Sequence, residues 1–332
     1  MKSKLLWLVV LSVVFLFGGV VEKKTNVMSS AKHFIYTKIV ESNKEDESWS
    51  HDFKEVKIKS SKDESLQKAM FLPAIEKAPL IISLHTWVGD YKEFDPLSDK
   101  ALEANWNYIH PDFRGPNWTN DACLSENAIS DIDDAISYAL EKGNVDLDNI
   151  FVVGVSGGGY ATLGTYIKTK YKINTFISWV PISDLGLWYK QNRDRGNKYA
   201  NDIISCTSSN GVFDRKLTDL RSPLQWELPE SQGNIEIYAG IDDGHSGPVP
   251  VSHSILFFNK LAAMHDHNNV ITTEESILLI DRLLPLPDKI NTLDGRDILF
   301  EKHAGPASIY FFDGNHEMLG NYTFNRLVSL LN

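Results

Sequence analysis

The run from Phe151 to Tyr160 most constrains what this chain can fold into. A β-branched and aromatic stretch enters Gly154-Val155-Ser156-Gly157-Gly158 and leaves into a helix-forming segment. A serine flanked by glycines in this way sits on a sharp turn from strand to helix, because glycine accepts the backbone angles of the turn and lets other backbone approach. Its hydroxyl is then exposed at a helix N-terminus, where N–H groups face developing negative charge. The pattern G-x-S-x-G also fits a phosphate-binding turn. Its meaning therefore depends on whether the chain supplies an acid and a base, in order.

The surrounding pattern alternates strand and helix. Strands are expected at Phe53 to Ser60, Pro79 to His85, Trp106 to His110, Asn149 to Val155, Thr175 to Pro181, Asn234 to Ile241 and Ala307 to Phe312, with an earlier one at His33 to Val40. Helices are expected at Ser98 to Ala104, Asp121 to Glu141, Tyr160 to Lys170, Ser252 to Met264 and Met318 to Leu331. Ile129, Ile132, Ile136 and Leu140 form one helical face, and Gly143 lies just past its end. This order predicts an α/β fold, a mostly parallel sheet with helices on both faces. The segment Ile182 to Gln232 is too long for an ordinary connection and carries Trp188, Tyr189, Tyr199 and Trp226, so it reads as a lid-like insertion or binding loop. The segment Asp266 to Pro306 is a second insertion without an evident role.

With 332 residues, 42% of them hydrophobic, one large α/β domain with insertions is expected over residues 33–332. The formal charge of -11 speaks against a nucleic-acid partner. Lys2 and Lys4 precede an uncharged, mostly apolar run, so residues 1–21 read as a secretory signal or an uncleaved membrane anchor, followed by a polar linker over 22–32. The expected location is the periplasm or the medium, with membrane contact only if the segment stays attached. The two cysteines, Cys123 and Cys206, then either close a disulfide or lie buried as free thiols.

A serine hydroxyl becomes a competent nucleophile when a base takes its proton and an acid orients that base. The expected chain order is serine, acid, histidine, with the last two on loops after later strands. The strand ending at Ile241 runs into Asp242-Asp243-Gly244, and the strand ending at Phe312 runs into Asp313-Gly314-Asn315-His316. Of ten histidines, His316 alone directly follows the last expected strand, which makes it the general base. Three residues on from Gly240 selects Asp243 as the acid, with Asp242 as the alternative. The oxyanion donors are expected to be the N–H of Gly157 and one from Thr86 or Trp87, the latter favoured. This chemistry calls for no metal and no cofactor.

Leu84-His85-Thr86-Trp87, His110-Pro111-Asp112-Phe113-Arg114-Gly115-Pro116-Asn117, the serine motif, Gly240-Ile241-Asp242-Asp243-Gly244 and Gly314-Asn315-His316-Glu317 together resemble α/β-hydrolase serine enzymes. They are most similar to a prolyl-oligopeptidase-like branch that includes carbohydrate esterases of the pectin methylesterase type. The resemblance spans roughly residues 65 to 331. Departures are Leu124, where a glycine is expected after the cysteine, and the extra acid Asp242. The resemblance implies an exported serine carboxylic-ester hydrolase acting on a plant or algal polysaccharide or oligosaccharide ester, methylated uronic acid polymer first and acetyl esters second. Arg114, Asn117 and Trp188 are its candidate substrate-binding residues, Arg114 with a structural alternative in which it ties its own loop. A serine peptidase is the alternative reading, although the gating domain usual in that branch has no room before residue 65. A third reading is a catalytically inactive binding protein of the same fold.

Overall fold

The computed structural model describes residues 48–208, 210–284 and 291–331, nearly all within one compact unit spanning Trp49–Asn332. The expected signal or anchor, the linker and the strand at 33–40 lie outside the described residues. Ten strands follow in chain order: β1 Lys54–Lys59, β2 Leu66–Leu72, β3 Ala78–Leu84, β4 Asn107–Pro111, β5 Val145–Val155, β6 Thr175–Trp179, β7 Asn234–Gly240, β8 Thr292–Leu293, β9 Arg296–Ala304 and β10 Ala307–Phe312. They hydrogen-bond in the order β1-β2-β4-β3-β5-β6-β7-β10-β9-β8. The six neighbours from β4 to β10 run parallel, whereas β1, β2 and the β8–β9 edge pair antiparallel. This is the expected α/β-hydrolase architecture.

Successive side chains of the central strands divide between two cores, as the period of two requires. Leu80, Ile82 and Val152 join one cluster, while Ile81, Phe151 and Val153 join the other. Both faces of the parallel strands are thus apolar, and helices must cover both. The first cluster packs against α2 (Glu126–Lys142), α3 (Gly157–Lys168) and α7 (Ser252–His265). The second packs against α1 (Leu97–Glu103) and α9 (Gly320–Ser329), through residues such as Trp106 and Leu327. Helix α2 starts later than the periodicity implied. Ser125 caps it by accepting from the Ala128 N–H at 2.9 Å, and Cys123 and Leu124 just before it hold positive φ of 56° and 51°.

The segment 182–232 is helical, with α4 (Leu185–Arg195), α5 (Tyr199–Thr207), α6 (Arg215–Asp219) and a short 3₁₀ turn at Pro223–Gln225. Its start is tied down by buried His253 of α7, whose Nδ1 accepts from the Ser183 N–H at 3.2 Å and whose Nε2 lies 3.0 Å from Gln191 Oε1. Burial lowers the His253 pKa to about 4, as suits a neutral ring with one acceptor and one donor nitrogen. The second insertion holds α8 (Thr273–Asp281) and the strands β8 and β9, and β9 pairs antiparallel with β10 to extend the sheet. Sequence reading missed β2, β8 and β9. All three lie on the antiparallel margins of the sheet, where half-exposed residues such as Lys68 and Glu301 interrupt the apolar pattern.

Two links fasten the loops around this sheet. Cys123, in the loop after β4, is bonded to Cys206 of α5, joining positions 83 apart in sequence. Arg114, also after β4, lies under Asp131 of α2. Its Nε is 2.5 Å from Asp131 Oδ2, its Nη1 2.8 Å from Asp63 Oδ2, and its Nη2 reaches Ser60 Oγ at 3.1 Å. The Arg114 and Asp131 side chains are 7% and 1% exposed, so neither charge has water as a substitute partner. Burial pushes the Asp131 carboxyl above its ordinary range while Arg114 and Ser60 pull it back. The more exposed Asp63 is held well below its range by Arg114.

These links should register in urea denaturation. Cys206→Ser is expected to lower unfolding stability by about 2–5 kcal/mol, the usual cost of losing a bridge across a long loop. Arg114→Ala leaves Asp131 buried without its partner and is expected to cost about 3 kcal/mol. A midpoint unchanged in either variant would show that the corresponding link does not hold the folded state.

Candidate active site

The parallel register brings the C-terminal ends of β3, β5, β6, β7 and β10 to one edge of the sheet. Each expected catalytic residue lies just past one of those ends. Ser156 follows β5 and heads α3 with φ 59° and ψ -116°, a backbone conformation an L-residue adopts only when its surroundings impose it. Its N–H donates to the Trp179 carbonyl at the end of β6 at 2.9 Å, which holds the turn from behind. The turn also needs its glycines. A Cβ on Gly154 would collide with the Gly158 carbonyl, and one on Gly157 would collide with the backbone N and Cα of Trp87.

The acid and histidine loops are zipped together by backbone. The Ile241 N–H donates to the Phe312 carbonyl at 2.9 Å, and the Asp242 N–H to the Gly314 carbonyl at 3.0 Å. This places His316 Nδ1 2.6 Å from Asp243 Oδ2. The other oxygen of Asp243 accepts from the Gly244 and Val249 N–H groups at 2.9 and 3.0 Å. Asp243 is 2% exposed, so its carboxylate is oriented by these hydrogen bonds and sheltered from water. Asp242 points elsewhere, to Arg282 Nη1 at 2.7 Å, with its side chain 41% exposed. Adjacent residues leave a turn in different directions, and here the turn aims the second one inward. His316 itself is partly exposed.

The segment after β3 supplies the other wall. The Thr86 N–H donates to Glu93 Oε2 at 2.6 Å, so of the two expected donors only the Trp87 N–H has no hydrogen-bond partner among the described residues. That N–H lies against Gly157. The Trp87 carbonyl accepts from the Asn117 N–H at 2.9 Å, and its indole N–H donates to Asp202 of α5 at 3.2 Å. The ring packs edge-on against Trp188 at 4.8 Å between centroids.

The three expected substrate-binding residues are built into the frame instead. Arg114 has every guanidinium nitrogen committed to Asp63, Asp131 or Ser60, which is its structural alternative. Trp188 is 1% exposed, with its indole N–H on the Pro248 carbonyl at 2.9 Å, so its faces are not free to stack on a sugar. Asn117 is buried, and its Oδ1 accepts from the Cys123 N–H at 3.1 Å. Sequence reading could not see these destinations, because most of the partners are remote in the chain. Nor did the sequence single out Glu93 or Asp202, whose partners Thr86 and Trp87 are named only by the fold. Among the described residues no group of three or more His, Cys, Asp or Glu side chains is placed to hold a metal ion.

Known proteins resemble this chain at the level of family and fold. The model of the prolyl oligopeptidase family matches residues 103–275, more than half of the chain, a span that contains Ser156 and Asp243. The acylaminoacyl peptidase of Pyrococcus horikoshii superimposes with a TM-score of 0.57 at 14% identity, over 88% of this chain and 41% of that one. A puromycin-hydrolyzing peptidase of Mycobacterium tuberculosis gives 0.57 at 15% identity, over 84% and 38%. At such identities the likeness is one of fold, and the chain spans about two fifths of the length of these structures. No curated protein matches the sequence. The serine at the head of α3, the sheet order and the family match over residues 103–275 lead to one conclusion: the chain has the α/β-hydrolase fold and belongs to the prolyl oligopeptidase family.

Proposed function

We propose that this protein is a serine peptidase that cleaves short peptides or aminoacyl amides through an acyl-enzyme. The observation that carries the chemistry is the buried Asp243 carboxylate 2.6 Å from His316 Nδ1, at the same sheet edge as a serine on a strained turn. With Nδ1–H donated to Asp243, the lone pair of Nε2 is left to take a proton. In the first half-reaction Ser156 Oγ attacks the scissile carbonyl carbon and its proton passes to His316 Nε2. The oxyanion that forms is received by the N–H groups of Gly157 and Trp87. The tetrahedral adduct collapses by breaking the C–N bond, and the departing amine takes the proton from His316. Water then attacks the acyl-enzyme, giving its proton to His316, and the acid leaves as Ser156 recovers its hydrogen. Asp243 remains a carboxylate throughout, holding the ring and stabilising its charged form.

Peptide bonds are preferred to sugar esters as the substrate for two reasons. The family model and the structural neighbours are those of peptidases. The polysaccharide-ester reading, for its part, drew its specificity from Arg114 and Trp188, both of which are engaged inside the protein. Export to the periplasm or medium remains part of the proposal and rests on residues 1–21 of the sequence.

Cleavage of an aminoacyl-p-nitroanilide panel, measured beside methanol and acetate release from esterified polysaccharides, tests the substrate class; anilide turnover without methanol or acetate release is expected. Methanol release with inert anilides would reverse the assignment. Ser156→Ala should abolish turnover by several orders of magnitude. Asp243→Asn should cost roughly 10⁴ in kcat by turning His316 to the wrong tautomer, whereas Asp242→Asn should stay within about threefold. Equal losses in the two asparagine variants would remove Asp243 from its role.

A further inference from the structure

The backbone N–H assigned to the oxyanion belongs to the peptide between Thr86 and Trp87, in a loop with no regular structure of its own. A donor on a loop contributes to catalysis only if its direction is fixed before the substrate arrives. The trans peptide points its C=O and N–H in opposite directions, so whatever orients the Thr86 carbonyl orients the Trp87 N–H. Thr86 is gripped by a single side chain from seven residues further on. Glu93 Oε2 accepts the Thr86 N–H at 2.6 Å, and Glu93 Oε1 accepts the Thr86 hydroxyl at 2.7 Å.

Two oxygens of one carboxylate on two donors of one residue hold the peptide that enters Thr86 and its χ1. The Glu93 backbone is itself held, its N–H donating to the Asp90 carbonyl at 3.0 Å. The carboxylate fits under the loop only because residue 89 is glycine; a Cβ there would overlap Glu93 Oε2. On the far side of the same peptide, the Thr86 carbonyl accepts from the Gly89 N–H at 3.3 Å and lies 2.9 Å from His85 Nδ1. The peptide is thus constrained from the Thr86 side and at its carbonyl, and its nitrogen lies beside Gly157.

We propose that Glu93 is a positioning residue for the oxyanion hole, acting through Thr86 to aim the Trp87 N–H at the substrate oxygen. The role is geometric. A negative charge near a developing oxyanion opposes it, so the carboxylate serves as a double acceptor and not as a charge. A glutamine can supply the same grip: its carbonyl oxygen accepts the Thr86 N–H, while its NH₂ donates to a Thr86 hydroxyl that has rotated to accept. This inference rests on the acyl-transfer reading of the site.

The test compares Glu93→Ala, Glu93→Gln and Thr86→Val with the parent protein on p-nitrophenyl acetate, an ester that reports acyl transfer whether or not peptides are the natural substrate. Glu93→Ala is expected to lower kcat roughly 10- to 100-fold, less than outright deletion of an oxyanion donor, with KM within about threefold. A trifluoromethyl ketone, which adds Ser156 Oγ and places an oxyanion in the hole, should lose affinity by the same factor as kcat. Glu93→Gln should restore kcat to within about threefold, and Thr86→Val, which removes the hydroxyl and keeps the N–H, should fall between. An unchanged kcat in folded Glu93→Ala, an unchanged ketone affinity beside a lowered kcat, or a glutamine variant as impaired as the alanine one would overturn the proposal. If Glu93→Ala does not fold, the ketone affinity of Thr86→Val decides instead, and a value equal to that of the parent protein overturns the role of Glu93. Ser156→Ala run in parallel separates the two levels: activity retained there sinks the nucleophile assignment itself, whereas activity lost there and kept in Glu93→Ala sinks only the role of Glu93.

Discussion

The site depends on a contact between two backbones, that of Gly157 at the head of α3 and that of Thr86–Trp87 after β3. No side chain intervenes, because position 157 carries none. That absence lets the first turn of a helix and an irregular loop approach backbone to backbone. The approach follows from the sheet. β3 and β5 are parallel neighbours, paired from Leu80–Ile150 to Leu84–Gly154, so their C-terminal ends arrive together and their following segments must meet. The positive φ of Ser156 accompanies that meeting, and the apolar packing of both faces of the sheet holds it in place.

A loop so placed has to be rigid, and the structure devotes several long-range contacts to that. Glu93 grips Thr86, Asn117 holds the Trp87 carbonyl, and Asp202 and Trp188 of the helical insertion hold the Trp87 ring. The insertion in turn is fastened by the disulfide from Cys206 to Cys123, six residues past Asn117, and by His253 at its start. Tyr160, one turn into α3, donates to the carbonyls of Cys123 and Arg221, and joins the serine helix to the same assembly. The insertion between β6 and β7 is therefore part of the frame around the Thr86–Trp87 loop.

Much of this was legible in the sequence, and the reason is local. Strands β3, β6, β7 and β10 and the second half of β5 are mostly apolar runs, and α2 shows one apolar face, so the order of these elements followed from pattern alone. Ser156, Asp243 and His316 each follow a strand end closely, which is why counting along the chain could nominate them. Arg114 shows the opposite case. A guanidinium on a loop beside the serine strand could face substrate or protein equally well, and the decision rests with Asp63 and Asp131, which lie 51 and 17 positions away. Trp188 is similar: its aromatic character argued for stacking, but Pro248 and Trp87 take up its edge and face.

The sequence by itself determined the fold class, the strained serine turn and the order serine, acid, histidine, since these follow from nearest-neighbour chemistry and from periods of two and 3.6. The tertiary structure set Asp243 against His316 and Asp242 against Arg282, paired Cys123 with Cys206, and gave Arg114, Asn117 and Trp188 partners inside the protein. Each of those choices depends on a partner brought close only when the sheet closes, and a charged or aromatic side chain carries no local mark of which partner that will be.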